Sequence, residues 1–236
     1  MAVLVLVATV ALWPVTTLSG VNYEVGERRL PLWRKAKEFL DRDREMARLA
    51  ASVTAASNGD EERSVAVLSW TNRHIRPHPA NAQVIDDHVW SIVQRGYGSS
   101  DQQADVFTTL LTYAGTPAYW ILIGPERPAL PLSFALIDGK WRVFDVERGL
   151  AFRNARGELA TPEEVAADHD LISASMAERG SSAESYLTWF RGFTPPTPPD
   201  VLRARMQMPG PRLMFELSDL VGRGGRTWSI RQSGDE

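Results

Sequence analysis

The sequence predicts an α+β fold on three observations. Apolar residues recur at helical spacing through roughly the first half, short β-rich runs crowd together after Pro117, and Asp138-Gly139 joins the last two of them as a tight hairpin. Helices followed by an antiparallel meander form one layered domain. The chain's 236 residues, 44% hydrophobic and 23% charged, suit one substantial domain with appendages and argue against collagen-like, disordered or multi-span membrane classes. Twenty-six Lys and Arg against 29 Asp and Glu give a formal charge of −3, so no basic footprint marks a nucleic-acid partner. The absence of cysteine excludes disulfides, Cys-ligated metals and thiol chemistry, and says nothing about compartment.

In chain order, Met1 to Tyr23 carries no charged side chain, and Ala2 to Trp13 is apolar apart from Thr9. Residues 1–23 are read as a signal peptide or membrane anchor, with a core segment of the fold as the alternative. A dozen apolar residues fit an h-region and Thr17-Leu18-Ser19 offers a small-x-small site. The basic residues Arg28, Arg29, Arg34, Lys35 and Lys37 follow the segment instead of preceding it, which leaves its orientation open. Polar Thr16, Thr17, Ser19 and Gly20 stand where a core segment needs a hairpin partner. The expected location is membrane-associated or exported, with cytoplasmic as the alternative.

Residues 24–56 form an amphipathic helical segment. Leu32, Ala36, Phe39, Leu40, Met46 and Leu49 line one face from Leu32 to Ala51, and mixed charges cover the other, a solvated face in preference to a membrane-surface one. After the break at Ser57 to Asp60, residues 57–193 are the main domain. Its expected helices run from Glu61 to Ile75, from about Val84 to Gln94 with His88 beside Val89 and Ile92, and from Asp101 to Ala114 as the buried centre. Expected strands are Ala118 to Ile123, Leu132 to Ile137 and Trp141 to Val146. Thr161-Pro162-Glu163-Glu164 caps a helix reaching about Ala174, and the Pro-rich Thr194 to Pro199 opens a linker and C-terminal arm, residues 194–236.

The order of these pieces carries a resemblance. Gly98-Ser99-Ser100-Asp101-Gln102-Gln103-Ala104 opens the buried helix, Gly115-Thr116-Pro117-Ala118 leads into the first strand, and Asp138-Gly139-Lys140-Trp141-Arg142-Val143-Phe144-Asp145 contains a Gly-x-Trp turn before an aspartate. From about Glu61 to Leu150 the chain resembles the transglutaminase-like core of the papain-like thiol enzymes. The resemblance implies a small antiparallel sheet packed by helices. It places Ser100 where the nucleophilic cysteine belongs, Asp145 at the aspartate, and Leu130 near the expected histidine. Two of the three catalytic positions are therefore replaced.

Those losses act together. A thiol at a helix N-terminus ionises readily, whereas a serine hydroxyl needs a base within hydrogen-bond reach, and the stretch that should supply it offers only Leu130, Pro131, Leu132 and Ser133. The remaining imidazoles are His74, His78, His88 and His169, of which His88 is nearest Ser100 in sequence and stands as the substitute base of a rebuilt Ser100, His88, Asp145 triad. The structural readings are a packed His88, a capping box in which Ser100 pairs with Gln103, and an Asp145 tied to Arg148 or a backbone donor, since Arg142 alternates to the other face. No cofactor is implied and no metal site is expected. His74 and His78 lie four apart but Pro77 and Pro79 bracket the second, and Gly222 to Arg226 lacks a phosphate loop's context. Three functions stay open: a catalytically inactive domain binding a peptide or protein, at a membrane through its N-terminal segment; an acyl-transfer or hydrolytic enzyme using Ser100; and a structural or assembly subunit. The oligomeric state is not legible.

Overall fold

The computed structural model describes residues 1–21, 24–80, 87–124, 129–177 and 183–220. Helix α1 (Ala2–Leu12) leads into a hairpin of β1 (Pro14–Val21) and β2 (Glu24–Pro31), which pair antiparallel from Pro14 against Pro31 to Val21 against Glu24. This corrects the expectation that the polar residues after Trp13 have no hairpin partner. They pair across this hairpin, with Thr16 against Arg29 and Thr17 against Arg28. Nor is α1 a core segment, since Val5, Val10, Leu12 and Trp13 are exposed.

Helix α2 (Leu32–Val53) buries Met46 and Ala50 and turns Arg34–Glu38 and Lys37–Asp41 pairs outward at 3.1 and 2.6 Å, as its amphipathic pattern predicts. Helix α3 (Asp60–His74) follows, then the two-residue strand β3 (Arg76–Pro77), α4 (Val89–Arg95) and β4 (Tyr97–Gly98), which pairs parallel with β3. Helix α4 is shorter than expected. His88 is its N-cap, accepting from the Trp90 N–H at 3.2 Å through Nδ1, and not a residue of its apolar face; Val84 to Asp86 lie outside the described residues.

Helix α5 (Ser100–Tyr113) is the buried centre, with every residue from Gln102 to Thr112 covered. So polar a helix survives burial because its threonines bond their own backbone, Thr108 Oγ1 to Ala104 O at 2.9 Å and Thr112 Oγ1 to Thr108 O at 2.8 Å. The meander β5 (Ala118–Ile123), β6 (Leu130–Ile137), β7 (Lys140–Asp145) and β8 (Leu150–Ala151) forms a four-stranded antiparallel sheet in sequence order. Asp138 and Gly139 both take positive φ, 50° and 74°, the geometry that a right-twisted two-residue hairpin demands.

The sheet separates two cores. Ala118, Ala135, Ile137 and Phe144 pack with Phe107 and Leu110 of α5, whereas Tyr119, Leu130, Leu132, Phe134 and Val143 pack with Val165, Ile172, Tyr186 and Phe190. The second set comes from α6 (Pro162–Ala167), α7 (His169–Ala177), α8 (Ala183–Leu187) and the 3-10 turn Thr188–Phe190. The single helix expected after Thr161 is divided. Asp168 ends α6, and its carboxylate accepts from the Asp170 and Leu171 N–H groups at 2.9 and 3.4 Å to start α7. Past the Pro-rich stretch, a 3-10 turn (Arg203–Gln207) and α9 (Pro209–Leu220) return to the body, so the arm is not a free tail. Gly222 to Arg226 lie outside the described residues.

Candidate functional site

The approach to α5 is built tightly. Gly96 ends α4 in the left-handed region at φ 71°, and its carbonyl accepts from the Arg76 N–H at 3.0 Å, which pins the end of α3 beside β4. Gly98 lets the backbone pass close to α5, since a Cβ there would lie 2.9 Å from Gln102 Oε1. Ser99, not Ser100, is the N-cap, and the capping box runs from Ser99 to Gln102, whose Oε1 accepts from the Ser99 N–H at 3.2 Å. Ser100 is the first helical residue, half-buried, with no side-chain hydrogen bond to any described residue. Gln103, the partner expected for Ser100, donates instead to Ile75 O at 3.0 Å, and its Oε1 is buried without a partner.

Asp145 lies on the other side of the sheet. Strand alternation sets it with Val143 and opposite to Phe144, whose ring meets Phe107 of α5 at 5.3 Å. Its carboxylate is fully buried and triply bonded, accepting from Tyr186 Oη at 2.7 Å, the Arg148 N–H at 3.0 Å and the Arg148 guanidinium at 3.1 Å. Arg148 in turn lies over the rings of Tyr186 and Trp189 at 5.0 and 5.4 Å. Burial, and after it the Asp145 carboxylate, holds the Tyr186 hydroxyl well above its ordinary pKa and so protonated. Leu130, near the position expected for the histidine, is buried in the same core on this far face.

The imidazoles are dispersed. His88 borders a small pocket with Thr109 and Tyr113, residues nine and thirteen positions along α5 from Ser100, or about 13 to 20 Å at 1.5 Å per residue. His74 stacks on Trp70 and bonds its carbonyl at 2.8 Å, and His169 begins α7. His78 comes nearest to the α5 entrance. It follows Pro77, which pairs with Gly98, its ring meets that of Tyr97 edge-on at 5.5 Å, and its Nε2 is buried without a partner. Among the described residues no group of three His, Asp or Glu side chains is arranged to hold a metal ion.

What the start of α5 does hold is a charged cluster that sequence patterns missed. Gln102 is its hub, accepting from Arg95 at 2.7 Å and donating to Asp87, while the Ser99 hydroxyl donates to Asp101. One turn further on, Asp105 accepts from the Trp120 indole N–H at 2.7 Å through one oxygen and pairs with Arg203 at 3.0 Å through the other. Burial pushes the Asp105 carboxyl up to about 6 against the opposing pull of Arg203 and Trp120, and the Asp101 and Asp87 charges add to the rise. Asp87 is raised as well, by burial first, with the Gln102 bond opposing. The one signal in the sequence was the four-residue spacing of Asp101 and Asp105, which sets two carboxylates on one helical face.

No protein-family model matches the chain, and no curated protein does. Among solved structures it is similar to a chain described as a candidate protease from Parabacteroides distasonis, at 13% identity and a TM-score of 0.36 over 55% of this chain. A candidate cysteine protease from Cytophaga hutchinsonii aligns with 50% of the chain at 16% identity and a TM-score of 0.40, and a structure described as a TGase with 62% at 13% and 0.38. The chain spans 35%, 40% and 46% of the length of these three.

Proposed function

We propose that the chain is a catalytically silent transglutaminase-like domain that binds a peptide or protein segment beside the N-terminal half of α5, and that its N-terminal segment holds it at a membrane. The observation that carries this reading is the separation of Ser100 from Asp145 by the full sheet, with Asp145 consumed by Tyr186 and Arg148. A nucleophilic serine needs a base that reaches it and a group that orients the base. Neither candidate partner bonds Ser100, and the geometry of Asp145 is that of a buried structural anchor. The membrane element is supported by the exposed apolar side chains of α1, by exposed Trp13 and Trp33, and by the basic residues of β2 and α2. Eleven residues rise only about 16 Å, and no helix among the described residues is long and apolar enough to cross a membrane. The attachment proposed is therefore to one face of the bilayer. Intact mass after incubation with an activated acyl ester tests the silence: no adduct is expected, and an adduct mapped to Ser100 overturns it.

One observation favours a second reading, an acyl transferase or hydrolase with Ser100 as nucleophile. His78, not His88, is the imidazole beside the α5 entrance, and its Nε2 is buried without a partner. This reading predicts an adduct that disappears in both Ser100→Ala and His78→Gln.

A further inference from the structure

The chain leaves the body at Phe193, crosses the largely exposed stretch from Thr194 to Asp200, and comes back to α5. Four prolines make that stretch a stiff tether with neither helix nor strand. Three contacts tie the returning segment down: Arg203 to Asp105 at 3.0 Å, the buried Ala204, and the Tyr113 hydroxyl on Gln207 O at 3.2 Å. Asp105 and Tyr113 are eight residues apart, so the segment runs along about 12 Å of the helix. It begins one turn beyond the turn of α5 that opens with Ser100.

Asp105 has the build of a receptor and not of a plain structural ion pair. Trp120 comes from β5, not from the arm, and fixes one carboxylate oxygen independently of Arg203. The other oxygen faces the guanidinium, and the Asp105 side chain is only 9% exposed. Asp87 and Asp101 add negative charge around it, while Arg95 is engaged with Gln102 and the Tyr97 carbonyl at 2.7 and 2.9 Å. A desolvated ion pair gains little over an apolar contact in stability, and its geometry selects what binds.

We infer that the Asp105 carboxylate, framed by Trp120, Asp87 and Asp101, is the recognition pocket for an arginine of an extended partner peptide, and that the chain's own Arg203 occupies it when no partner is bound. The inference rests on the peptide-binding reading above and names its ligand class. A tethered occupant competes at an effective concentration near the millimolar range, so an outside peptide binds weakly until the arm lets go. Removing the arginine of the arm then exposes the pocket without touching it.

The test uses the full chain and a labelled synthetic peptide, Pro199 to Met208 of this sequence, titrated by fluorescence anisotropy. The wild-type chain is expected to bind it weakly, Arg203→Ala to bind it at least tenfold more tightly, and Arg203→Ala with Asp105→Asn to lose that gain. The same peptide carrying Arg203→Ala should show no preference for any variant. Trp120→Phe, which keeps the ring and removes the N–H donor, gives a second route should the Asp105 variant unfold. Equal binding of the two peptides to the Arg203→Ala chain overturns the inference, as does a wild-type dimer that Arg203→Ala converts to monomer, since the arm would then exchange between copies. The outcome separates from that of the acyl probe. Arginine-dependent binding together with a Ser100 adduct keeps this pocket and refutes the silent domain, and the opposite pair of results does the reverse.

Discussion

The Tyr186 hydroxyl donates to Asp145 Oδ2 at 2.7 Å across 41 residues of chain, and both groups are almost wholly buried. This bond joins the end of β7 to α8 and closes the second core around a single carboxylate. Arg148, on the turn after β7, supplies the compensating charge.

The first prediction concerns that anchor. Tyr186→Phe should destabilise the protein by about 1–3 kcal/mol, because a buried carboxylate oxygen loses one of its two donors while the ring packing stays. Asp145→Ala should cost more, about 3–5 kcal/mol, since it leaves the buried Tyr186 hydroxyl without its acceptor and Arg148 with only the exposed Glu147. Urea melts of the two variants check the order. An Asp145→Ala protein as stable as its parent would remove the structural role assigned to this residue.

The second prediction separates the two serines at the start of α5. Ser99→Ala should cost roughly 0.5–2 kcal/mol as the loss of an N-cap, and Ser100→Ala should stay within about 0.5 kcal/mol. Gln102→Ala should exceed both in thermal melts, because it unties Ser99, Arg95 and Asp87 at once.

These serines mark how far the sequence could be read. Ser99-Ser100-Asp101-Gln102-Gln103 contains the capping pattern in two registers, Ser99 with Gln102 and Ser100 with Gln103, and nothing local chooses between them. The choice is tertiary: the Ile75 carbonyl takes Gln103, and Arg95 with Asp87 takes Gln102. Period alone located α5 and the strands, and Asp138-Gly139 located their hairpin, because those signals are local. Alternation placed Asp145 and Arg142 on opposite faces but could not say which face α5 covers, which depends on Phe107 meeting Phe144. The pairing of Arg203 with Asp105 had no local signal, because one partner lies in a Pro-rich arm and the other in a buried helix. The same distance hid His78, which reaches the α5 entrance only through the β3–β4 pairing.

The third prediction concerns the N-terminal segment. The full chain should co-sediment with vesicles of anionic lipid, and Val10→Asp with Leu12→Asp should abolish this while leaving the thermal midpoint unchanged, since both side chains are exposed on α1. Arg29→Glu should weaken the binding and make what remains less sensitive to salt. Unchanged sedimentation of the double variant would sink the membrane element of the proposal.

The fourth prediction follows from Asp105. Its carboxyl titrates near 6 in the folded protein against 3.8 for an unperturbed side chain, so between those values the folded state holds a proton that the unfolded state has released. Stability should therefore rise as pH falls from about 6 to about 4, and this contribution should be lost as pH rises through 6. A carboxyl that keeps its proton to one pH unit higher in the folded chain than in the unfolded one adds about 1.4 kcal/mol, which sets roughly 1–3 kcal/mol for this group. Arg203 opposes the rise from the arm, Asp101 and Asp87 reinforce it, and Trp120 bonds the ionised form. Arg203→Ala should accordingly move the carboxyl above 6, and Asp105→Asn should flatten this part of the stability profile. Carbon-detected NMR titration of the Asp105 carboxyl in the wild type and in Arg203→Ala, beside urea melts at several pH values, gives both readouts. A carboxyl that titrates near 4 in the wild type would remove the stability gain expected here, and one that does not move when Arg203 is removed would show that Arg203 is not the charge that Asp105 holds.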